Sequence, residues 1–282
     1  MNITITPLTS HTGAEIRGIN FSKPISSEIK TKVNELLAQY SVLVFKYQNL
    51  SAKQFQEAGQ VFGDILPQML KRFTLEDYPL VGFVSSEDKD RPGGQRLVRG
   101  EQYHTDHSNF TEPPKATALC AVEIPSHGGD TQFVNVHAAY DGLPDETKRR
   151  IDGLKVLHVY KSSRSPRKKA ELTEEEKRSI PETVQPLVLV HPGNGRKALY
   201  LNTAHMERII GMDDAEAFAL IEQLMQHATQ PKYEYRHKWE RGDMVIWDNR
   251  SVLHQANGDY DPAEKRYLYR LMVKGERLTA AA

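Results

Sequence analysis

The chain has 282 residues with 37 Lys plus Arg against 37 Asp plus Glu, and this zero formal net charge gives no reason to expect nucleic acid or an anionic membrane as a partner. No apolar run approaches the roughly 18 residues of a membrane span, and residues 1–10 lack the charged-then-apolar pattern of a secretory leader. The length suits a single domain over 1–282 with a sizeable core, and the lone Cys120 excludes an internal disulfide and fits a reducing cytoplasm.

Residues 26–40 read as an amphipathic helix, with Ile29, Val33, Leu36 and Leu37 at helical spacing. Residues 41–48 (SVLVFKYQ) read as a buried strand, and 51–62 as a second helix with Ser51 as its N-cap. The polar stretch 85–102, with Pro92, Gly93, Gly94 and Gly100, reads as a mobile loop, of a length that is usually functional or disordered. Short strands are predicted at 116–124, 130–136, 186–190, 197–202, 233–239, 243–247, 251–255 and 266–273. Turn signals such as Gly128-Gly129 and Pro192-Gly193-Asn194-Gly195 separate several of them. Cys120 falls inside the first of these strands and reads as core. Helices are expected at 144–154 and 213–228. The charged stretch 162–182 interrupts the series, either as a solvated loop and helix or as a mobile cover. Many short strands with few helices predict a mainly β fold with helices (α+β), a two-layered sandwich or jelly roll with the helices outside.

Tyr103-His104-Thr105-Asp106-His107 carries the first chemical signal. In an extended strand, residues i and i+2 face the same way, so His104 and Asp106 would share a face about 6–7 Å apart while His107 faces away. A second imidazole, His254, lies far downstream. Two histidines and one carboxylate on one face of a metal leave positions open, the arrangement of non-haem Fe(II) oxygenases. The His-x-Asp triplet alone would serve equally as a surface or capping element, and His254 alone as a satisfied core histidine.

The segment 266–273 tightens the case. Period two puts Arg266, Leu268, Arg270 and Met272 on one face of a largely apolar strand. A buried guanidinium without an anion costs several kcal/mol, so two of them imply two anions nearby. Arg266 and Arg270 are separated by about 13 Å along an ideal strand, too far to grip one carboxylate. One division is a cosubstrate carboxylate on one and a substrate anion on the other. The alternative is a pair of structural salt bridges.

His104-Thr105-Asp106, Pro125-Ser126-His127-Gly128-Gly129-Asp130-Thr131, His191-Pro192-Gly193 and Trp247-Asp248-Asn249-Arg250 with His254, in this order, resemble the taurine dioxygenase/2,4-dichlorophenoxyacetate dioxygenase family. The resemblance runs from Gly13 to Val273. It implies a double-stranded β-helix, the jelly-roll core of that superfamily, with Fe(II) held by His104, Asp106 and His254 and with 2-oxoglutarate and O2 as cosubstrates. It also implies that Thr131 and Arg266 hold the distal carboxylate of 2-oxoglutarate, although Thr131 alone would serve as well in a turn, and that Arg270 meets an anionic group of the substrate. Related iron halogenases lack the carboxylate so that chloride can bind, so Asp106 implies oxygenation.

Tyr103, His107, Phe110, Leu66 and Met69 are further candidates to line the substrate pocket. Taurine users of the family carry a histidine soon after the helix matching 51–62 and an asparagine ahead of the first ligand. Here those stretches read Asp64-Ile65-Leu66-Pro67-Gln68 and Arg99-Gly100-Glu101-Gln102, with neither partner evident. The segment 230–239 is similar to the matching stretch of phenoxyacetate-cleaving members. The expected activity is therefore hydroxylation of a small organic anion such as an aryloxyalkanoate, with cleavage as a consequence. Sulfonate or alkyl sulfate oxidation, a catalytically silent binding protein on this fold and a zinc hydrolase at the same three residues are the alternatives. Dimers or tetramers are expected from the family.

Overall fold

The structure is a computed structural model and describes residues 3–87, 98, 100–165, 174 and 180–281. In chain order the first elements are β1 (Thr4–Pro7), β2 (Ala14–Arg17), α1 (Ser27–Tyr40), β3 (Val42–Phe45), α2 (Ala52–Gln60), β4 (Ile65–Leu66), β5 (Gly82–Ser85) and β6 (Ala116–Glu123). They continue with β7 (Thr131–Asn135), α3 (Val136–Asp141), α4 (Asp145–Ile151), β8 (Lys155–His158), β9 (Thr183–Pro186), β10 (Val188–Val190), β11 (Lys197–Leu199) and β12 (Met206–Ile209). The last are α5 (Asp214–Ala228), β13 (Glu234–His237), β14 (Met244–Asp248), β15 (Val252–Ala256), β16 (Tyr267–Val273) and β17 (Thr279–Ala280). Most of the two stretches expected as mobile loops, 85–102 and 162–182, falls outside the described residues.

The large sheet runs β1-β2-β3-β14-β6-β16-β4, with β5 also on β16, and is antiparallel except for β2 with β3. A smaller sheet, β13-β7-β15, lies against it. Strand alternation decides the layers. Val42, Val44, Leu119, Ala121, Val245, Trp247 and Leu268 of the large sheet pack with Phe133 and Val252 of the small one. Their neighbours Leu43, Phe45, Ala118, Cys120, Ile246, Leu271 and Val273 face the other way, onto Val33, Leu36 and Leu37 of α1 and Phe55 and Ala58 of α2. This is a jelly-roll core flanked by helices. Cys120 belongs to the helix-facing layer, where burial pushes its thiol up to about 12. Behind the small sheet, Val134 and Val136 join α5 and β10–β11 in a third apolar layer.

Local signals set the helix starts. Ser26 accepts from the Ile29 amide at the head of α1. Ser51 and Gln54 form a reciprocal capping box on α2. The strand expected at 41–48 stops at Phe45, because the chain turns back through Tyr47 and Asn49 at positive φ. The strand expected at 186–190 is two strands broken at Leu187. The short strands β1, β2, β4, β5, β8 and β12 carry too few residues for period two to show. Among the described residues, no helix is long and apolar enough to cross a membrane.

Candidate metal centre

Two backbone hydrogen bonds clamp the distant halves of the site together. His104 N donates to His254 O at 3.0 Å, and His254 N to His104 O at 2.9 Å, an isolated antiparallel bridge at the middle of β15. The two imidazole rings are thereby brought to a centroid separation of 4.2 Å. Beyond His104 the chain does not continue as a strand. Residues 106–109 form a turn in which His107 takes φ 45°. The expected strand parity therefore applies only as far as Asp106, and His107 lines the same cavity as the other three instead of facing away. The turn is held by Thr105 Oγ1 donating to Asn249 O and Asn202 Nδ2 donating to Thr105 O, each at 2.7 Å.

One nitrogen or oxygen each from His104, Asp106 and His254 lies within 4.8 Å of the others. His104 Nε2 is 3.8 Å from Asp106 Oδ1, and His254 Nε2 is 3.9 Å from Asp106 Oδ2. Both fall within the roughly 4 Å that two metal bonds of about 2 Å can span. His104 Nδ1 lies 2.7 Å from Gln102 O, which fixes that nitrogen as the N–H and leaves the Nε2 lone pair toward the shared point. The donor set is the facial two-histidine, one-carboxylate type that suits Fe(II).

Asp106 is surrounded by donors. Thr117 Oγ1 donates to Oδ2 at 2.6 Å, and Arg270 Nη2 sits 2.9 Å from Oδ1. Burial alone would raise the carboxyl; the charges of Arg270, His254, His104 and His107 override it and hold Asp106 well below the usual carboxylate range. Thr117 in turn accepts from Asn249 Nδ2 at 3.0 Å, and Asn249 Oδ1 accepts from Trp247 Nε1 at 3.0 Å. The Trp247 ring packs 4.6 Å from that of His254. Asp248 accepts three bonds from Arg250, one from its backbone N–H and two from its guanidinium, and one from His191 Nε2. Each residue of Trp247-Asp248-Asn249-Arg250 thus fixes the turn that carries His254 or the carboxylate opposite it.

A cavity of about 210 Å³ opens on the triad. Met69, Leu70, Phe73, Phe83, Val84 and Leu119 give it an apolar wall, and Gln68, His107, Thr131, Arg266 and Arg270 give it polar points. Arg270 lies on the face of β16 turned toward the small sheet, as Leu268 does, while Leu271 faces the helices; Arg266, just ahead of β16, lines the same cavity.

Residues 4–272 match the family described as taurine catabolism dioxygenase TauD, TfdA family. The chain belongs to that family. It is 36% identical over 262 residues to an alpha-ketoglutarate-dependent 2,4-dichlorophenoxyacetate dioxygenase of Burkholderia sp. (strain RASC), covering 89% of this chain and 87% of the relative. It is 30% identical to an alkylsulfatase of Acinetobacter baylyi, covering 97% of this chain and 86% of the relative. The crystal structure of AAD-2 in complex with Mn(II) and N-oxalylglycine superposes with a TM-score of 0.84 at 31% identity, covering 99% of this chain and 100% of that one. The protein is an Fe(II)- and 2-oxoglutarate-dependent dioxygenase, the first of the readings weighed from its sequence.

Thr131 and Arg266 are each held in place where they line the cavity. Trp239 Nε1 donates to Thr131 Oγ1 at 3.0 Å, and since an indole can only donate, the threonine hydroxyl keeps its own proton to give. Arg266 Nε donates to Gly129 O at 2.8 Å. Gly129 has φ +69°, and a Cβ there would lie 3.2 Å from Arg266 Cδ, so glycine is what lets the arginine stem lie flat against the turn.

Of the residues expected near substrate, Arg270, His107 and Met69 line the cavity, whereas Tyr103, Phe110 and Leu66 lie outside its lining. Tyr103 precedes His104, so it points backward into the layer behind the small sheet, its hydroxyl 3.1 Å from Glu234. The Phe110 ring packs tilted against that of His107, with centroids 4.9 Å apart. Leu66 is taken up in pairing β4 to Met272. Sequence reasoning missed Thr117, Trp239, Gln68, Phe73 and Phe83. Thr117 was detectable in principle as the polar residue of an otherwise apolar run; the others carry no local signal.

Proposed function

We propose that this dioxygenase hydroxylates a small carboxylate with an apolar body, such as an aryloxyalkanoate, with His104, Asp106 and His254 holding iron. The observation that carries the reading is a second cationic side chain, Arg270, beside Arg266 in an apolar-walled cavity that opens directly on the three metal-ligand candidates. Arg270 would take the substrate's anionic group, while the apolar wall from Met69 to Leu119 takes its body. Thr131 and Arg266 would hold the distal carboxylate of 2-oxoglutarate by a hydroxyl proton and a bidentate guanidinium.

When bound, Fe(II) with 2-oxoglutarate and O2 supplies the oxidising chemistry, converting the cosubstrate to succinate and CO2 and a substrate C–H to C–OH. The chain's part is positioning and exclusion of water. Thr117 and the His104–His254 bridge fix the ligands, Trp247 shields His254, and Arg270 sets which carbon is presented. Hydroxylation at a carbon bearing an ether oxygen gives a hemiacetal, which breaks down to aldehyde and alcohol.

A sulfonate or alkyl sulfate is the second reading, favoured by the likeness to an alkylsulfatase and by an arginine that accepts any of these anions. A panel of aryloxyacids, other small carboxylates, sulfonates and sulfate esters, scored for succinate formed per product, decides between them. The proposal holds if carboxylates lead by kcat/KM and fails if only sulfur oxyanions couple. A single domain over 1–282, a homodimer or homotetramer and a cytoplasmic location complete the proposal, supported by the family resemblance and the lone cysteine. Light scattering in solution tests the oligomer.

A further inference from the structure

Trp239 lies just past the end of β13, whose pairing with β7 stops at His237 opposite Thr131. The strand ladder therefore ends before the indole that donates to Thr131. What meets the indole is the imidazole of His237, two residues back, with ring centroids 4.6 Å apart and planes at 88°. Such an edge-to-face contact orients a ring only if its partner is itself fixed.

His237 is buried and held at both nitrogens. Its Nδ1 lies 3.0 Å from the Tyr235 hydroxyl, and its Nε2 lies 3.3 Å from Asp243 Oδ2. A carboxylate can only accept, so Nε2 carries the hydrogen and Nδ1 accepts from the tyrosine. Asp243 is fully buried, and its Oδ2 also accepts from Lys46 Nζ at 2.8 Å and from the Glu240 backbone N–H at 3.0 Å. One carboxylate thus brackets Trp239 on both sides along the chain, through the imidazole at 237 and the amide at 240. A buried lysine–carboxylate pair is seldom worth more to stability than apolar side chains of the same volume, so what this cluster adds is orientation. His237 itself does not line the cavity.

We propose that His237, held by Asp243, is a positioning residue for 2-oxoglutarate: it sets the Trp239 indole, and the indole leaves the Thr131 hydroxyl to donate to the distal carboxylate. The inference deepens, and rests on, the reading of Thr131 as part of the cosubstrate site. Without its two polar contacts the imidazole turns, the indole follows, and the threonine hydroxyl loses the donor that directs it.

Calorimetry on the Mn(II)-loaded enzyme tests this with two probes. One is 2-oxoglutarate; the other is 2-oxopentanoate, the same chain with a methyl in place of the distal carboxylate. His237→Phe keeps a ring beside the indole and loses both polar contacts. It should weaken 2-oxoglutarate about fivefold, leave 2-oxopentanoate unchanged and leave kcat at saturating 2-oxoglutarate near wild type. His237→Gln, whose amide still reaches Asp243, should recover most of the loss. In the Thr131→Val background His237→Phe should have no further effect, because the two residues act on one contact. Melting temperatures check folding; should His237→Phe not fold, Asp243→Asn takes its place with the same expectations. Equal weakening of both oxo acids, or the full loss persisting in the Thr131→Val background, would make His237 a packing residue and overturn the proposal. Unchanged 2-oxoglutarate binding in His237→Phe, with weakened binding in Thr131→Val, would defeat the role of His237 alone. Unchanged binding in Thr131→Val would end the reading of Thr131 and this inference with it.

Discussion

Thr117 reaches across from β6 to give its hydroxyl proton to Asp106 Oδ2 at 2.6 Å, from the same strand face that carries Leu119 and Ala121 into the inter-sheet layer. A hydroxyl that both accepts from Asn249 and donates to Asp106 has one rotamer and one proton position, and it passes that order to the carboxylate. Removing it in Thr117→Val keeps the shape and loses the bond. Metal affinity should fall about 10–100-fold, and Thr117→Ser should recover most of it. Titration with Mn(II) followed by electron paramagnetic resonance reads this directly. An affinity equal to wild type in the valine variant would show that the hydroxyl does not orient the ligand.

The two arginines of β16 should separate kinetically. Arg270→Met is expected to raise KM for the anionic substrate by about 10–100-fold and leave that for 2-oxoglutarate near its wild-type value. Arg266→Met should do the reverse. If the two patterns were exchanged, the assignment of the anions would be exchanged with them.

Trp239 is expected to matter for the cosubstrate although it lies outside the cavity lining. Its indole fixes Thr131 as a donor. In Trp239→Phe the hydroxyl loses that constraint, a change of about 1 kcal/mol, so KM for 2-oxoglutarate should rise about fivefold with kcat little altered. Thr131→Val should cost at least as much. Unchanged KM for 2-oxoglutarate in both variants would remove Thr131 from the cosubstrate site.

Acid stability should depend on His137. Burial pushes this histidine from 6.5 down to about 4, and its ring is already satisfied in the neutral form, donating from Nδ1 to Lys197 O and accepting at Nε2 from Ser251. In the unfolded chain it takes up a proton near 6.5; in the folded chain only near 4. The unfolded state therefore binds more protons between those values. The contribution is complete above pH 6.5 and is lost as pH falls toward 4, in total roughly 3 kcal/mol. Urea unfolding at several pH values should show a shallower decline in His137→Gln than in wild type. His158 and His237, also depressed by burial, keep the remainder of the slope. Parallel declines in variant and wild type would exclude His137 as the responsible group.

What the sequence by itself determined was whatever depends on neighbours along the chain. The period-two face of β16, the Ser51 cap and the order of the motifs gave the strands, helix starts and family, because alternation and capping are local geometry. The identities of His104, Asp106 and His254 were legible for the same reason, as motif residues. That they meet was decided only by the tertiary structure, through a bridge joining residues 104 and 254. The turn at His107 reversed a parity argument, since a left-handed residue breaks the alternation on which parity rests. Tyr103 went to the opposite side for the reason that parity does hold up to His104. Thr117 beneath Asp106, Trp239 behind Thr131 and Gln68 against Gly82 each set a strand residue against a side chain from a turn or connection outside the strands. No pattern along one strand encodes which side chain of another will face it, so these partners emerged only once the two sheets were laid face to face.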